Sequence, residues 1–86
     1  MPEISRFLGI VIKMFFEDHS PPHFHAVYGD YAAAFSIDSL KIIEGNLPPR
    51  IIGLVVEWAS ANQVKLQENW KLIQKSQKFK KIKPLV

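Results

Sequence analysis

The chain has 86 residues, a formal net charge of +3 and no cysteine. A chain of this length supports a single hydrophobic core, so we expect one domain over residues 1–86. The lack of cysteine excludes disulfides, thiolate catalysis and cysteine-ligated zinc, and a hydrophobic fraction of 48% excludes intrinsic disorder. The apolar runs are too short to span a bilayer and the first residues lack a signal-peptide pattern. We therefore expect a cytoplasmic protein without membrane contact.

Basic charge is concentrated at the C-terminus. Residues 71–86 contain six lysines and no acidic residue, whereas residues 1–70 hold five basic and eight acidic residues, a net charge of −3. A basic tail on an acidic body is typical of chains that bind a polyanion or an acidic protein surface. A solvated, frayed tail is the alternative. The candidate nucleic-acid contacts are Arg6, Lys75, Lys78, Lys80 and Lys81.

The first half of the chain has the alternation of β-strands. Residues 8–16 alternate apolar side chains with period two, which predicts a strand that a Pro-Pro step then ends. Residues 23–28 and 31–37 predict two further strands, joined by a tight turn at Gly29-Asp30. Residues 41–44 add a short fourth strand in one interpretation. We therefore expect three or four antiparallel strands.

After Asn46 the apolar spacing changes to the helical period. Pro48 and Pro49 suit an opening helical turn, and no proline interrupts residues 50–76. The apolar stripe consists of Ile51, Val55, Trp58, Leu66, Trp70 and Ile73. We predict one long C-terminal helix, with or without a kink near residues 60–62, and two helices meeting there as the main alternative. The stripe must cover an apolar sheet face, which gives a two-layer α+β domain.

All three histidines of the chain, His19, His23 and His25, lie within seven residues around the Pro-Pro step. Histidine changes its charge nearest neutral pH and serves both as proton carrier and as metal ligand. Side chains at i and i+2 of a strand share one face, so His23 and His25 should point the same way, with His19 able to fold back toward them. Asp18 could orient one imidazole by accepting its second N–H.

Three interpretations of this cluster stay open. One neutral and one protonated imidazole could act as general base and acid, for example in cleaving RNA through its 2′-hydroxyl, while Arg6 binds phosphate. Two or three neutral imidazoles could instead bind zinc or another divalent metal, but no firm fourth ligand is present, so we expect no cofactor. The histidines could also brace the loop or contact a partner. The catalytic candidates are His19, His23, His25, Arg6 and Asp18, and a metal would use the three histidines.

The histidine segment belongs to a series of motifs that covers essentially the whole chain. The motifs are Ile4-Ser5-Arg6-Phe7, Gly9-Ile10-Val11-Ile12, Asp18-His19-Ser20-Pro21-Pro22-His23-Phe24-His25-Ala26, Gly45, Leu47, Pro48, Glu57-Trp58, Asn69-Trp70 and Lys81-Ile82-Lys83-Pro84-Leu85. Together they closely resemble the small bacterial family known as domain of unknown function 4160. The three histidines, Arg6 and Asp18 all fall on the family's motif.

The resemblance implies a biological setting but no catalytic mechanism. Members of the family typically sit next to a gene for domain of unknown function 2442, and the pair looks like a type II toxin–antitoxin module with this kind of chain as the toxin. In that setting the commonest targets are RNA and the translation apparatus, and the resemblance implies an antitoxin partner resembling domain of unknown function 2442. Together with the histidine cluster, it leads us to expect a toxin that acts on RNA, as a metal-independent ribonuclease if it is an enzyme. The alternatives are a non-enzymatic regulatory or partner-binding module and, after it, a metal-binding protein.

Overall fold

Within residues 3–15 and 19–86, which the computed structural model describes, five antiparallel strands form a meander that is followed by two helices. The elements are β1 (Glu3–Phe7), β2 (Ile10–Lys13), β3 (His23–Tyr28), β4 (Tyr31–Ser36), β5 (Ile42–Asn46), α1 (Pro49–Ser60) and α2 (Gln63–Gln74). Each strand pairs with the next one in sequence, so the order across the sheet is β1-β2-β3-β4-β5. Neither described helix has the length and apolar composition needed to span a bilayer.

The prediction of three or four strands is wrong because the apolar alternation over residues 8–16 conceals the first hairpin. Leu8 and Gly9 form a two-residue turn with φ angles of 50° and 79°, and β1 precedes this turn while β2 begins at Ile10. Positive φ at both central residues is the geometry that closes a tight hairpin. Leu8 keeps the apolar period of the predicted strand over residues 8–16, yet its side chain is 54% exposed in the turn.

The prediction of one long helix is also wrong, since the helical region is divided between Ser60 and Gln63. The side-chain amide of Asn62 donates to the carbonyl of Trp58 at 2.8 Å, and its backbone N–H donates to the carbonyl of Ala59 at 3.0 Å. Asn62 thereby satisfies carbonyl groups at the end of α1, an alternative to helix propagation that asparagine side chains favour. The apolar stripe resumes in α2, so periodicity alone does not reveal the break.

The α+β class and the predicted apolar stripe are confirmed by the core. All six stripe residues are buried, and they pack with alternate residues of the sheet, Phe7, Ile10, Ile12, Met14, Phe24, Ala26, Ala33, Phe35 and Ile37. Trp58, which is 1% exposed, lies at the centre of this core. The centroid of its ring is 5.5 Å from that of Phe7 and 5.9 Å from that of Phe24. The strand alternation therefore fixes which side chains meet the helices.

The opposite face of the sheet, here called the outer face, carries the residues that alternate with this core set. Strand alternation and register assign to it Glu3, Arg6, Val11, Lys13, His23, His25, Val27, Ala32, Ala34 and Glu44. Two rows of these residues cross the sheet at different positions along the strands. One row runs through Lys13, His25 and Ala34, and the other runs through Val11, Val27 and Ala32.

The C-terminal tail is held on the body of the protein at residues 80–83 and is not frayed there. Ile82 is 4% exposed and donates its backbone N–H to β1 at 2.8 Å. The indole N–H of Trp58 donates to the carbonyl of Lys83 at 2.9 Å. The buried amide of Asn69 donates to the carbonyl of Lys80 at 2.7 Å and accepts from its N–H at 2.9 Å. The tail backbone is fixed by these bonds, while its lysine side chains are exposed.

The Asn69→Ala substitution should lower the free energy of unfolding by about 1–3 kcal/mol, because it leaves the peptide groups of Lys80 without their partners. Urea denaturation measures this change. Gln77→Ala, at an exposed position of the same tail, is the control and should stay within about 0.5 kcal/mol of the parent. Equal effects of the two substitutions would contradict a tail held through Asn69.

The Ser5→Ala substitution should raise the free energy of unfolding by about 1 kcal/mol. Ser5 is 4% exposed, and its hydroxyl has no hydrogen-bond partner among residues 3–15 and 19–86. A buried hydroxyl without a partner keeps the cost of its desolvation, which alanine removes. Ser36→Ala is the control with the opposite sign, because the Ser36 hydroxyl accepts the N–H of Ser39 at 3.2 Å. Thermal unfolding measures both variants, and an equal loss of stability in the two would contradict the cost assigned to the Ser5 hydroxyl.

Candidate functional site

His23 and His25 are neighbours on the outer face of β3. Their ring centroids lie 5.1 Å apart with an angle of 72° between the ring planes, and both residues are half-buried. Phe24 and Ala26, which alternate with them, are fully buried in the core. The strand therefore presents two imidazoles side by side because its other face is committed to apolar packing.

The ring of His23 is held from two sides. Its Nδ1 lies 2.7 Å from the carbonyl oxygen of Pro21, in the loop whose Ser20–Pro21 peptide bond is cis. A carbonyl oxygen can only accept, so the ring donates this hydrogen bond through its Nδ1–H. On the other side, the ring of Trp70 from α2 lies at a centroid distance of 5.3 Å. The loop and α2 together fix the orientation of this imidazole.

His25 lies further along β3, between an aromatic ring and a shallow depression. The ring of Phe15 meets it edge-on at a centroid distance of 4.6 Å. Its register neighbours are Lys13 on β2 and Ala34 on β4. The depression has a volume of about 130 Å³, and it is lined by His25, Ala32, Ala33, Ala34, Glu44 and Gly45. His25 therefore lies between the Lys13 position of β2 and a depression lined by small residues and Glu44.

The other catalytic candidates are placed differently. His19 is exposed in the loop before β3, and Asp18 lies outside the described residues. Arg6, on the edge strand β1, donates two hydrogen bonds to the carboxylate of Glu3, at 2.8 and 3.2 Å. β1 is two strands from β3, which corresponds to about 10 Å. Of the five candidates, the structure brings His23 and His25 together.

The metal-site interpretation is not supported by the arrangement of donors. Within the two described ranges, 3–15 and 19–86, no three side chains of the His, Cys, Asp or Glu type are grouped so that they could hold a metal ion. His19 accordingly does not complete a ligand set with the half-buried pair on β3. A tetrahedral protein site would need three or four such donors around one point.

Positive charges converge on Glu3 at the β1 edge of the outer face. The hydrogen bond from Arg6 is the largest cause that holds the pKa of the Glu3 carboxyl below its ordinary value. Partial burial opposes it, and the positive charges of Arg6, Lys81 and Lys13 each lower the pKa further. Glu3 pairs in register with Lys13, which in turn pairs with His25. The basic tail and the histidine pair are thus connected across this edge by a row of charged side chains.

The tail lysines chosen as nucleic-acid contacts line two grooves beside α2. Lys75 and Lys80, together with Lys71, line a groove of about 220 Å³, and Lys80 and Lys81 line a second one of about 210 Å³. Both grooves share Glu68 as their acidic residue. Lys78 is exposed on the same tail. These side chains form a cationic surface because Asn69 fixes the backbone of the tail against α2.

Sequence reasoning missed three residues that surround the histidines, namely Lys13, Glu44 and Trp70. Period two does place Lys13 on the face opposite the core, and this was the signal that could have linked it to the histidines. Glu44 lies beside the site because of the register between β4 and β5, which includes a bulge between Ala34 and Phe35. Trp70 was predicted as core, where it is 6% exposed, and its contact with His23 adds to that role.

The Arg6→Ala substitution should raise the pKa of Glu3 toward its ordinary value, since the hydrogen bond from Arg6 is the largest cause of its lowering. The pKa of Glu3 is lowered in the folded protein, so the pair favours folding above the ordinary carboxyl pKa. This contribution is lost as the pH falls through the lowered value. Carboxyl ¹³C NMR titration measures the change. Arg50→Ala, the control at the start of α1, should leave the pKa of Glu3 unchanged, and an unchanged pKa in Arg6→Ala would refute the assignment.

The comparisons with known proteins identify the family. Residues 9–71 match the family model described as Domain of unknown function (DUF4160). The matched range includes β2 to β5, α1 and most of α2, and hence both His23 and His25. No curated protein and no solved structure matches the chain. Because the match covers well over half of the chain, the predicted resemblance is confirmed: this protein belongs to the DUF4160 family.

Proposed function

We propose that this chain is the toxin of a cytoplasmic type II toxin–antitoxin module and that it cleaves RNA without a metal through His23 and His25. The observation that supports this most is the imidazole pair, whose ring centroids lie 5.1 Å apart on the outer face. The carbonyl of Pro21 accepts a hydrogen bond from the ring of His23 and orients it. Two oriented imidazoles at this spacing suit a reaction in which one imidazole takes a proton from the substrate and the other donates a proton to the leaving group.

The reaction that fits such a pair is transesterification at a phosphodiester. One imidazole, in its neutral form, accepts the proton of the ribose 2′-hydroxyl, and the 2′-oxygen attacks the adjacent phosphorus. The bond from phosphorus to the 5′-oxygen of the next nucleotide breaks, and the second imidazole, in its protonated form, donates a proton to that oxygen. The products are a 2′,3′-cyclic phosphate and a 5′-hydroxyl. The two histidines exchange their protonation states in this step, and proton exchange with water restores them before the next turnover.

Cationic side chains around the pair would hold the phosphate backbone. Lys13 is the register neighbour of His25 and would bind the reacting phosphate. Arg6 and Lys81 lie at the β1 edge, where both act on Glu3, and the other tail lysines extend this surface along α2. His19, exposed in the preceding loop, would contact a neighbouring phosphate. Neutralising backbone phosphates supplies affinity that is independent of sequence and falls with salt.

An antitoxin resembling domain of unknown function 2442 would be the partner that neutralises this surface. A chain of 86 residues has a thin stability margin, and binding of a partner to the folded state raises its apparent stability.

One observation favours the second candidate function, a non-enzymatic partner-binding module. The outer face also carries half-buried apolar side chains, Val11, Phe15 and Val27, that a protein partner could cover.

His23→Gln and His25→Gln should each lower the rate of RNA cleavage by about 100-fold or more, because each removes one of the two proton-transfer groups. The measurement is cleavage of single-stranded RNA by the purified protein in the presence of a chelator, beside growth after induction without the neighbouring gene. Both variants should relieve the growth arrest.

Arg50→Gln is the control for this experiment, since Arg50 is an exposed cation at the start of α1 and lies outside the proposed site. It should keep parental cleavage and toxicity. Circular dichroism of each variant verifies that the fold is retained. A purified protein that leaves RNA intact yet binds the neighbouring gene product would favour the non-enzymatic module. Cleavage that the chelator abolishes would overturn the metal-independent mechanism.

A further inference from the structure

The depression beside His25 has a floor of small residues and two walls of different chemistry. Ala34 is the register partner both of His25 on one side and of Glu44 on the other. His25 and Glu44 therefore flank Ala34 on the outer face, about 10 Å apart as two strand spacings. Ala34 is 5% exposed beneath them, while Glu44 is exposed. The result is a slot with an imidazole at one end and a carboxylate at the other.

Beside the slot, the backbone of β5 approaches that of β4 closely at Gly45. Gly45 has a φ of +79°, and a Cβ at this position would collide with the carbonyl oxygen of Ala32. Only glycine fits such a close backbone contact at positive φ without strain. The volume of about 130 Å³ is below the roughly 300–1,000 Å³ of pockets for drug-sized ligands, so it suits a single ring system.

We infer that this slot binds the base of the nucleotide whose phosphate lies at the histidines, and that Glu44 selects guanine. The inference rests on the proposed function and deepens it, because it names the nucleotide at the same site. A base over Ala34 presents its outer edge to Glu44, and its ribose and phosphate then lie toward His25 and Lys13. Single-stranded RNA is generally read in this way, through the Watson–Crick edges of unstacked bases.

The preference for guanine follows from the hydrogen-bonding capacity of a carboxylate. An ionised carboxylate has two acceptor oxygens and no donor. Guanine presents two adjacent donors on its Watson–Crick edge, N1–H and N2–H, which match the two oxygens of Glu44. Adenine and cytosine place an acceptor beside their amino group, and uracil flanks its single donor with two carbonyls. With each of these three bases, at least one oxygen of Glu44 would face an acceptor atom of the base instead of a donor, which lowers the affinity for that base.

The test uses short 2′-O-methyl oligouridylates that carry one central guanine, adenine or cytosine, since the missing 2′-hydroxyl prevents cleavage during the measurement. Fluorescence anisotropy gives the Kd of each probe. The parent protein should bind the guanine probe about 10-fold more tightly than the other probes. Glu44→Gln should reduce this preference to about 2-fold or less. Glu57→Gln, which changes an exposed glutamate on α1, is the matched control and should keep the preference.

The outcomes separate this inference from the proposed function. A parent protein that binds all probes equally, or a guanine preference that survives in Glu44→Gln, overturns the role of Glu44 and leaves the ribonuclease proposal standing. A protein that binds none of the probes and does not cleave unmodified RNA overturns both. Because Glu44 is exposed, its substitution should not unfold the chain, and circular dichroism of both glutamine variants verifies this.

Discussion

The placement of the histidines depends on the burial of Phe24. This side chain is fully buried, stacks on Phe35 with ring centroids 5.3 Å apart, and meets Trp58 edge-on. A strand that buries Phe24 must turn His23 and His25 to the other face, and a register slip of one residue would force both imidazoles into the apolar core. Burying a polar ring without partners costs several times the free energy of a typical hydrogen bond. The core therefore dictates the site.

Helix α2 links the two features on which function is proposed to depend. Adjacent residues on this helix have separate tasks: Asn69 fixes the backbone of the basic tail, and Trp70 packs both in the core and against His23. A shift of α2 would thus move the tail lysines and the imidazole together. The histidine pair and the cationic surface form one unit because a single helix positions both.

Sequence periodicity predicts the parts of this fold in which the spacing of apolar residues matches the period of a single strand or helix. The alternation around Phe24 gives β3 and its histidine face, and the helical stripe gives the buried face of both helices. Periodicity does not predict β1, because Leu8 continues the apolar alternation although it lies in a turn. It does not predict the helix break either, because Asn62 ends α1 without interrupting the apolar stripe. Glu44 could not be placed from the sequence, since its position depends on a bulge that changes the register of β5.

The hydrogen bond from Ile82 to Ile4 has a consequence for association between chains. β1 is an edge strand, and a row of unpaired backbone groups along such a strand is a template on which another chain can add. Ile82 of the C-terminal segment occupies one carbonyl group of this edge, and its neighbours Lys81 and Lys83 carry positive charges that repel a second copy. The segment beyond the family match therefore covers part of this edge, and its loss would expose β1 to pairing with another chain at the same time as it removed the tail lysines.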